Sequence, residues 1–186
     1  MLWLPQKGRV RTITNAGIVG TATPGTGVVS NATTLLDGAV VELITSGNNN
    51  QDSWGIAVDI SATGLSATAA QAKMTILIGG ATDDELLPDL ICGYSLASGI
   101  GYHYFFPVHV PGGVRIAARI ASVRTSITAR CVVTLYGGCP PPWRVGRKVT
   151  TYGTAINGAR GQSVTPTASG GTASVAGPPD KYQTAD

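Results

Sequence analysis

The chain has 186 residues, 43% of them hydrophobic, yet only 12% are charged and the net charge is +3. Such a composition excludes a disordered chain, and the slight, scattered basic excess argues against the dense cationic stripe of a nucleic-acid surface. Soluble domains normally carry about 25% charged residues and use them for solubility, so sparse charge points either to a surface that meets other protein or to a Ser/Thr/Asn/Gly coat.

The opening residues, MLWLPQKGRV, hold no apolar run of signal length, because Pro5 and Lys7 interrupt it. No segment approaches the ~18 apolar residues of a membrane span. Synthesis in the cytoplasm without export by this route is expected. Short strands are predicted at Val10–Thr14, Gly27–Ser30 and Val40–Thr45. Ser46-Gly47-Asn48-Asn49-Asn50 follows as a loop whose residues tolerate left-handed backbone. In Trp54–Ile60 the residues Trp54, Ile56, Val58 and Ile60 fall on one face, and Gly55, Ala57 and Asp59 on the other. That period of two marks a half-buried strand. Thr63–Lys73 is the one helix-tolerant stretch, long enough for a short turn. Met74–Ile78 is continuously apolar, as in a central strand covered on both faces. Gly79-Gly80 closes it, and Asp83-Asp84-Glu85 is expected in a solvated loop.

Strands are then predicted at Leu90–Leu96 and Tyr102–Val110. Pro111-Gly112-Gly113 forms a tight corner, since Pro111 stops a strand and the glycines accept positive φ. Val114–Ile120 alternates again, with Arg115 and Arg119 pointing away from its apolar face. Arg130–Tyr136 is another central strand. From Cys139 the character changes. Cys139-Pro140-Pro141-Pro142-Trp143 is restricted to extended backbone. Thr150–Val175 is rich in Gly, Ser, Thr, Ala and Pro, too poor in large apolar groups to fold alone.

Short strands separated by Gly/Pro turns describe an all-β antiparallel β-sandwich, jelly-roll or immunoglobulin-like, with extended N- and C-terminal arms. The expected division is an arm with edge strands over 1–34, the sandwich over 35–139 and a Pro/Gly/Ser/Thr-rich extension over 140–186. Gly8-Arg9-Val10-Arg11-Thr12 after Trp3 is echoed by Gly146-Arg147-Lys148-Val149-Thr150 after Trp143. Two equivalent arms, the opening of a second domain and chance similarity all fit that echo.

Chemistry is thinly represented. His103 and His109 share a face but stand roughly 20 Å apart along an extended strand, too far for one metal. Asp83-Asp84-Glu85 lacks the spacing of a calcium loop. No nucleophile elbow, Walker loop or dinucleotide fingerprint occurs. Cys92, Cys131 and Cys139 give an odd count without metal spacing, and Cys131 sits in a strand as a small core residue. No catalytic, cofactor-binding or metal-binding residue is assigned, no cofactor is implied and no enzyme is expected. Tyr102, Tyr104, Phe105 and Phe106 either pack in the core or, on an exposed face, stack on sugar rings. Alternation turns half of them inward in any case.

Three pieces in order, SWGIAVDIS, KMTILIGGATDDELLPDL and FFPVHVPGGVRIAARIAS, closing on RCVVTLYGG, resemble a β-sandwich of tailed-bacteriophage virion proteins, among minor tail, fibre-base and decoration proteins. The similarity runs from about Trp54 to Gly138 and transfers no site. It implies a virion location, repeated copies and arms that lock neighbouring subunits, with other virion proteins and further copies of the chain as partners, no direct nucleic-acid contact and no membrane span. A possible interaction surface is then Arg115, Arg119, Trp143, Arg144, Arg147 and Lys148. The alternative is a carbohydrate- or receptor-binding module that uses exposed aromatics and the Asn48–Asn50 loop.

Overall fold

The computed structural model describes residues 13–16 (backbone only), 25–61, 71–79, 83–92, 101–138 and 145–151. Among the described residues nine strands form, in the order β1 (Ile13–Ala16), β2 (Thr26–Val29), β3 (Val41–Ile44), β4 (Ser53–Ser61), β5 (Ala72–Gly79), β6 (Asp83–Cys92), β7 (Gly101–Phe106), β8 (Arg115–Ser122) and β9 (Thr128–Gly137). There is no helix among the described residues.

The pairing is nested and antiparallel throughout. β2 pairs β9, β3 pairs β8, β4 pairs β7 and β5 pairs β6. β4 then joins β9, and β5 joins β8. This is one long eight-stranded hairpin rolled into two sheets, which is a jelly roll rather than an immunoglobulin fold. One sheet runs β9-β4-β7, with β1 and β2 sharing the lane beside β9. β1 lies against Val133–Tyr136 and β2 against Thr128–Cys131. The other sheet runs β3-β8-β5-β6.

Period-two alternation fixes which side chains enter the core. β9 alternates without a break, burying Ala129, Cys131, Val133 and Leu135. They meet Ile56, Val58 and Ile60 of β4, Met74 and Ile76 of β5, and Ile116, Ala118 and Ile120 of β8 in one cluster. Each fully buried large aliphatic side chain contributes about 1.5–3 kcal/mol relative to exposure. Tyr102, Tyr104 and Phe106 turn inward against this cluster, while His103 and Phe105 are exposed.

Two segments depart from the expected pattern. Asp83-Asp84-Glu85 opens β6 instead of lying in a loop, opposite Gly79, Ile78 and Leu77. The reason lies two strands away. Gly79 separates Asp83 from Arg115 in the register and offers no side chain, so the guanidinium reaches across it to the carboxylate. The strand expected over Tyr102–Val110 stops at Phe106. Pro107 supplies no backbone N–H, and only isolated bridges at Val108 and Val110 follow. The helix-tolerant stretch lies largely outside the described residues, and its last two residues, Ala72 and Lys73, belong to β5. Residues 93–96 of the Leu90–Leu96 strand also lie outside them.

β6 is an edge strand and is built as one. Pro88 sits in it, Asp89 takes φ 56°, and the register slips between Met74 and Ile76 and again between Ile76 and Leu77. Pro and bulges blunt an edge against stray pairing. A strap over 145–151 then covers this side. Gly146 bonds to Pro107 and His109 beyond β7, the Val149 N–H donates to the Leu86 carbonyl (3.2 Å), and Thr151 Oγ1 donates to the Pro88 carbonyl (2.6 Å).

Candidate interaction surfaces

The outer face of the β3-β8-β5-β6 sheet carries the charge. Arg115 Nη2 donates to both oxygens of Asp83 at 2.5 and 2.6 Å. Arg119 Nη2 donates to Glu85 at 2.6 Å, and its Nε lies 3.0 Å from Asp37. Lys73 Nζ is 2.8 Å from Asp89. The bond from Asp83 holds the Arg115 guanidinium above even its ordinary pKa. Arg115 and Arg119, read from the sequence as a possible interaction surface, find carboxylates within the chain. Leu77 and Ala117 stand opposite each other between the two arginines in the register, outside the core cluster, yet are only 1% and 0% exposed.

Of the other expected interaction residues, Arg147 and Lys148 are exposed on the strap. Trp143 and Arg144 lie outside the described residues.

The outer face of the β9-β4-β7 sheet is aromatic at one end and polar at the other. A Cβ at Gly55 would stand 3.1 Å from two ring carbons of Phe105. The missing side chain therefore lets that ring settle onto β4. Trp54 and Tyr136 flank it edge-on, with ring centroids 6.5 and 5.5 Å away. Trp54 Nε1 donates to the Gly137 carbonyl at 3.1 Å, which fixes the indole. Phe105 stays 46% exposed, the largest aromatic exposure among the described residues.

Two residues further along β7, His103 Nδ1 meets Asp59 Oδ1 at 2.6 Å. A carboxylate only accepts, so Nδ1 carries the proton and Nε2 is left available. Beside this pair, Ser61, Gly101, Arg130 and Val132 help line a groove of ≈ 290 Å³. Arg130 is held there by donating from Nη1 to the Gly25 carbonyl at 3.0 Å.

His109 lies 3.7 Å from a different carboxylate, Asp52. The Gly112 N–H bonded to Asp52 lowers its carboxyl pKa, and His109 adds to the effect. The two histidines therefore serve separate aspartates. Among the described residues no group of three or more His, Cys, Asp or Glu side chains gathers to hold a metal.

Sequence reasoning missed Asn49. It is 2% exposed, and Nδ2 donates to the Pro111 carbonyl at 2.9 Å and the Val114 carbonyl at 3.0 Å. Its own carbonyl accepts from the Gly113 N–H. One side chain therefore ties the Ser46–Asn50 loop to the Pro-Gly-Gly corner, where Gly113 adopts φ 77°. The signal was present only as a polar loop residue, with no local cue that it turns inward. Cys92 and Cys131 are buried, and burial, with Cys92 nearby, pushes the Cys131 thiol up to about 12.

No protein-family model and no curated protein matches the chain. Two solved structures similar to it are both of infectious bursal disease virus. One is its T13 viral particle, at 11% identity and TM-score 0.36 over 73% of this chain. The other is the Gx strain, at 12% identity and TM-score 0.35 over 73% of this chain. This chain spans 35% and 36% of the length of those chains.

Proposed function

We propose that the chain is a non-enzymatic structural component of a viral particle, of the tailed-phage kind, placed in the tail, the neck or on the capsid surface and present in repeated copies. The observation that carries this is where the ends of the sandwich are tied down. β1 and β2 take the lane beside β9, on one side. The strap over 145–151 crosses from Pro107 and His109 to β6, on the other side. The segments that continue from these points therefore start at the two lateral sides, where a neighbouring subunit stands in a ring or shell.

The nested topology supports the same class. Jelly rolls recur in viral capsid and lectin domains, an analogy of fold rather than of site. The likeness of Trp54–Gly138 to tailed-phage virion sandwiches, set out above, favours the phage kind. The division into arm, sandwich and extension over 140–186 belongs to this proposal, with the part of the extension beyond the strap as the segment that orders against a neighbour.

Limited trypsinolysis tests it. Arg160 and Lys181 lie in the extension. Free protein is cut there early, and the same bonds are protected in assembled particles. Equal cleavage rates in both forms would refute docking by the extension.

A further inference from the structure

We infer that the outer face of the β9-β4-β7 sheet is a binding site for a pyranoside segment of an oligosaccharide. The inference rests on that face alone and does not depend on the particle proposal.

A pyranose ring has one apolar C–H face and a rim of hydroxyls, so a site for it needs an aromatic surface next to fixed hydrogen-bonding groups. Both are on this face and in line. Phe105, His103 and Gly101 alternate outward along β7, opposite Ala57, Asp59 and Ser61 of β4. Tyr136, Val132 and Arg130 of β9 border β4 on its other side. Phe105 is the platform: it rests on Gly55, is steadied edge-on by Trp54 and Tyr136, and remains 46% exposed. A core-packing role does not account for that exposure, since Tyr102, Tyr104 and Phe106 of the same strand do turn inward.

His103 follows at two residues' distance, about 6.6 Å along the strand. A sugar over Phe105 thus places its neighbour over the polar groove. The 2.6 Å bond to Asp59 orients the imidazole and leaves Nε2 for a hydroxyl, Asp59 keeps an oxygen that accepts, and Arg130 donates from a guanidinium already held by Gly25. Among the described residues nothing stands within 4 Å of where a Gly101 Cβ would be, so none of them closes the groove at that end. A few convergent polar groups beside an apolar surface are the usual anatomy of a small-ligand site. The opposite sheet offers no such face, because its arginines are spent on its own carboxylates.

The test is a printed array of neutral and uronate-containing oligosaccharides, probed with the full chain and followed by calorimetric titration of the strongest hit. Binding to one or more pyranosides is expected. Phe105→Ala lowers the affinity at least about tenfold, equivalent to ~1.4 kcal/mol. Asp59→Ala weakens it similarly, whereas Phe105→Trp and the opposite-sheet variant Glu42→Gln retain it. An array negative for the chain but positive for a control lectin overturns the inference, and so does binding indifferent to Phe105→Ala. A Phe105→Ala variant that changes only self-association, with no glycan bound by the parent, also overturns it and assigns the face to protein docking. Particle incorporation of Phe105→Ala, measured in parallel, separates this result from the structural role, which predicts normal incorporation.

Discussion

Replacing Asn49 by alanine tests how the molecule closes its most acute corner. The side chain donates to the carbonyls of Pro111 and Val114 at 2.9 and 3.0 Å from a site only 2% exposed. Truncation removes both bonds and leaves two acceptors in a poorly solvated site. Each lost bond costs about 0.5–1.5 kcal/mol, with a further desolvation term if no water enters. The sum is about 2–3 kcal/mol, which for a chain of this size lowers Tm by roughly 4–12 °C. Asn49→Asp adds a sign that can be checked. It turns a carboxylate oxygen toward two carbonyls, so its folded pKa rises above the ordinary ~3.9. A raised pKa means that the protonated, donating form is the stable one in the fold. The deficit against the parent is therefore smallest below about pH 4 and grows as pH rises through the folded pKa. Thermal melts at pH 3.5 and pH 7 read both effects. An Asn49→Ala melt within about 1 °C of the parent, or an Asp variant with no pH-dependent gap, would refute the corner's dependence on Asn49.

Gly38→Ala places a Cβ 2.0 Å from the Val29 carbonyl oxygen, so the β2–β3 connection must shift; the expected loss is about 2–3 kcal/mol in urea unfolding, while Gly47→Ala, with nothing within 4 Å, changes stability by less than about 0.5 kcal/mol. Cys131, held at about 12, stays protonated in the fold, so iodoacetamide at pH 8.5 labels it only after denaturation; because its folded pKa lies above the unfolded ~8.5, the stability it lends is intact below that pH and fades from about pH 9 upward. Arg119→Met lowers stability by about 1 kcal/mol or less, an effect that shrinks in high salt, and leaves incorporation into particles unchanged because its carboxylates are intrachain.

Much of the fold was legible because a strand records its burial in every second residue. Ile56–Ile60 and Val114–Ile120 each declare a core face, and β4 and β8 stand where that alternation places them. Trp54, expected on the same face as Ile56, instead joins Phe105 and Tyr136 on the outer face, because the register shifts between Ser53 and Gly55. Arg130–Tyr136 reads as a continuous apolar run covered on both faces, whereas β9 buries only every second residue. Pairing is a different matter. Both a jelly roll and an immunoglobulin sandwich satisfy the same alternation, and only the nested partners separate them. Asp83-Asp84-Glu85 has a loop's composition, yet Asp83 and Glu85 are paired from β8, two strands away in the sheet, with Arg115 32 residues from Asp83 in sequence. Asn49 was hidden for the same reason, since its partners lie 62 and 65 residues downstream. On the aromatic face, alternation alone gives two outward side chains in β7, those of His103 and Phe105. That Phe105 settles on Gly55, and that His103 meets Asp59, required the register between β4 and β7.

The structural role is tested most directly by copy number. Quantitative mass spectrometry of density-purified particles, washed in high salt, counts this chain against the major structural proteins. A particle component tied in by its edges and ends predicts a fixed stoichiometry that survives the wash. Absence from the particles, or a trace amount that salt removes, would contradict it.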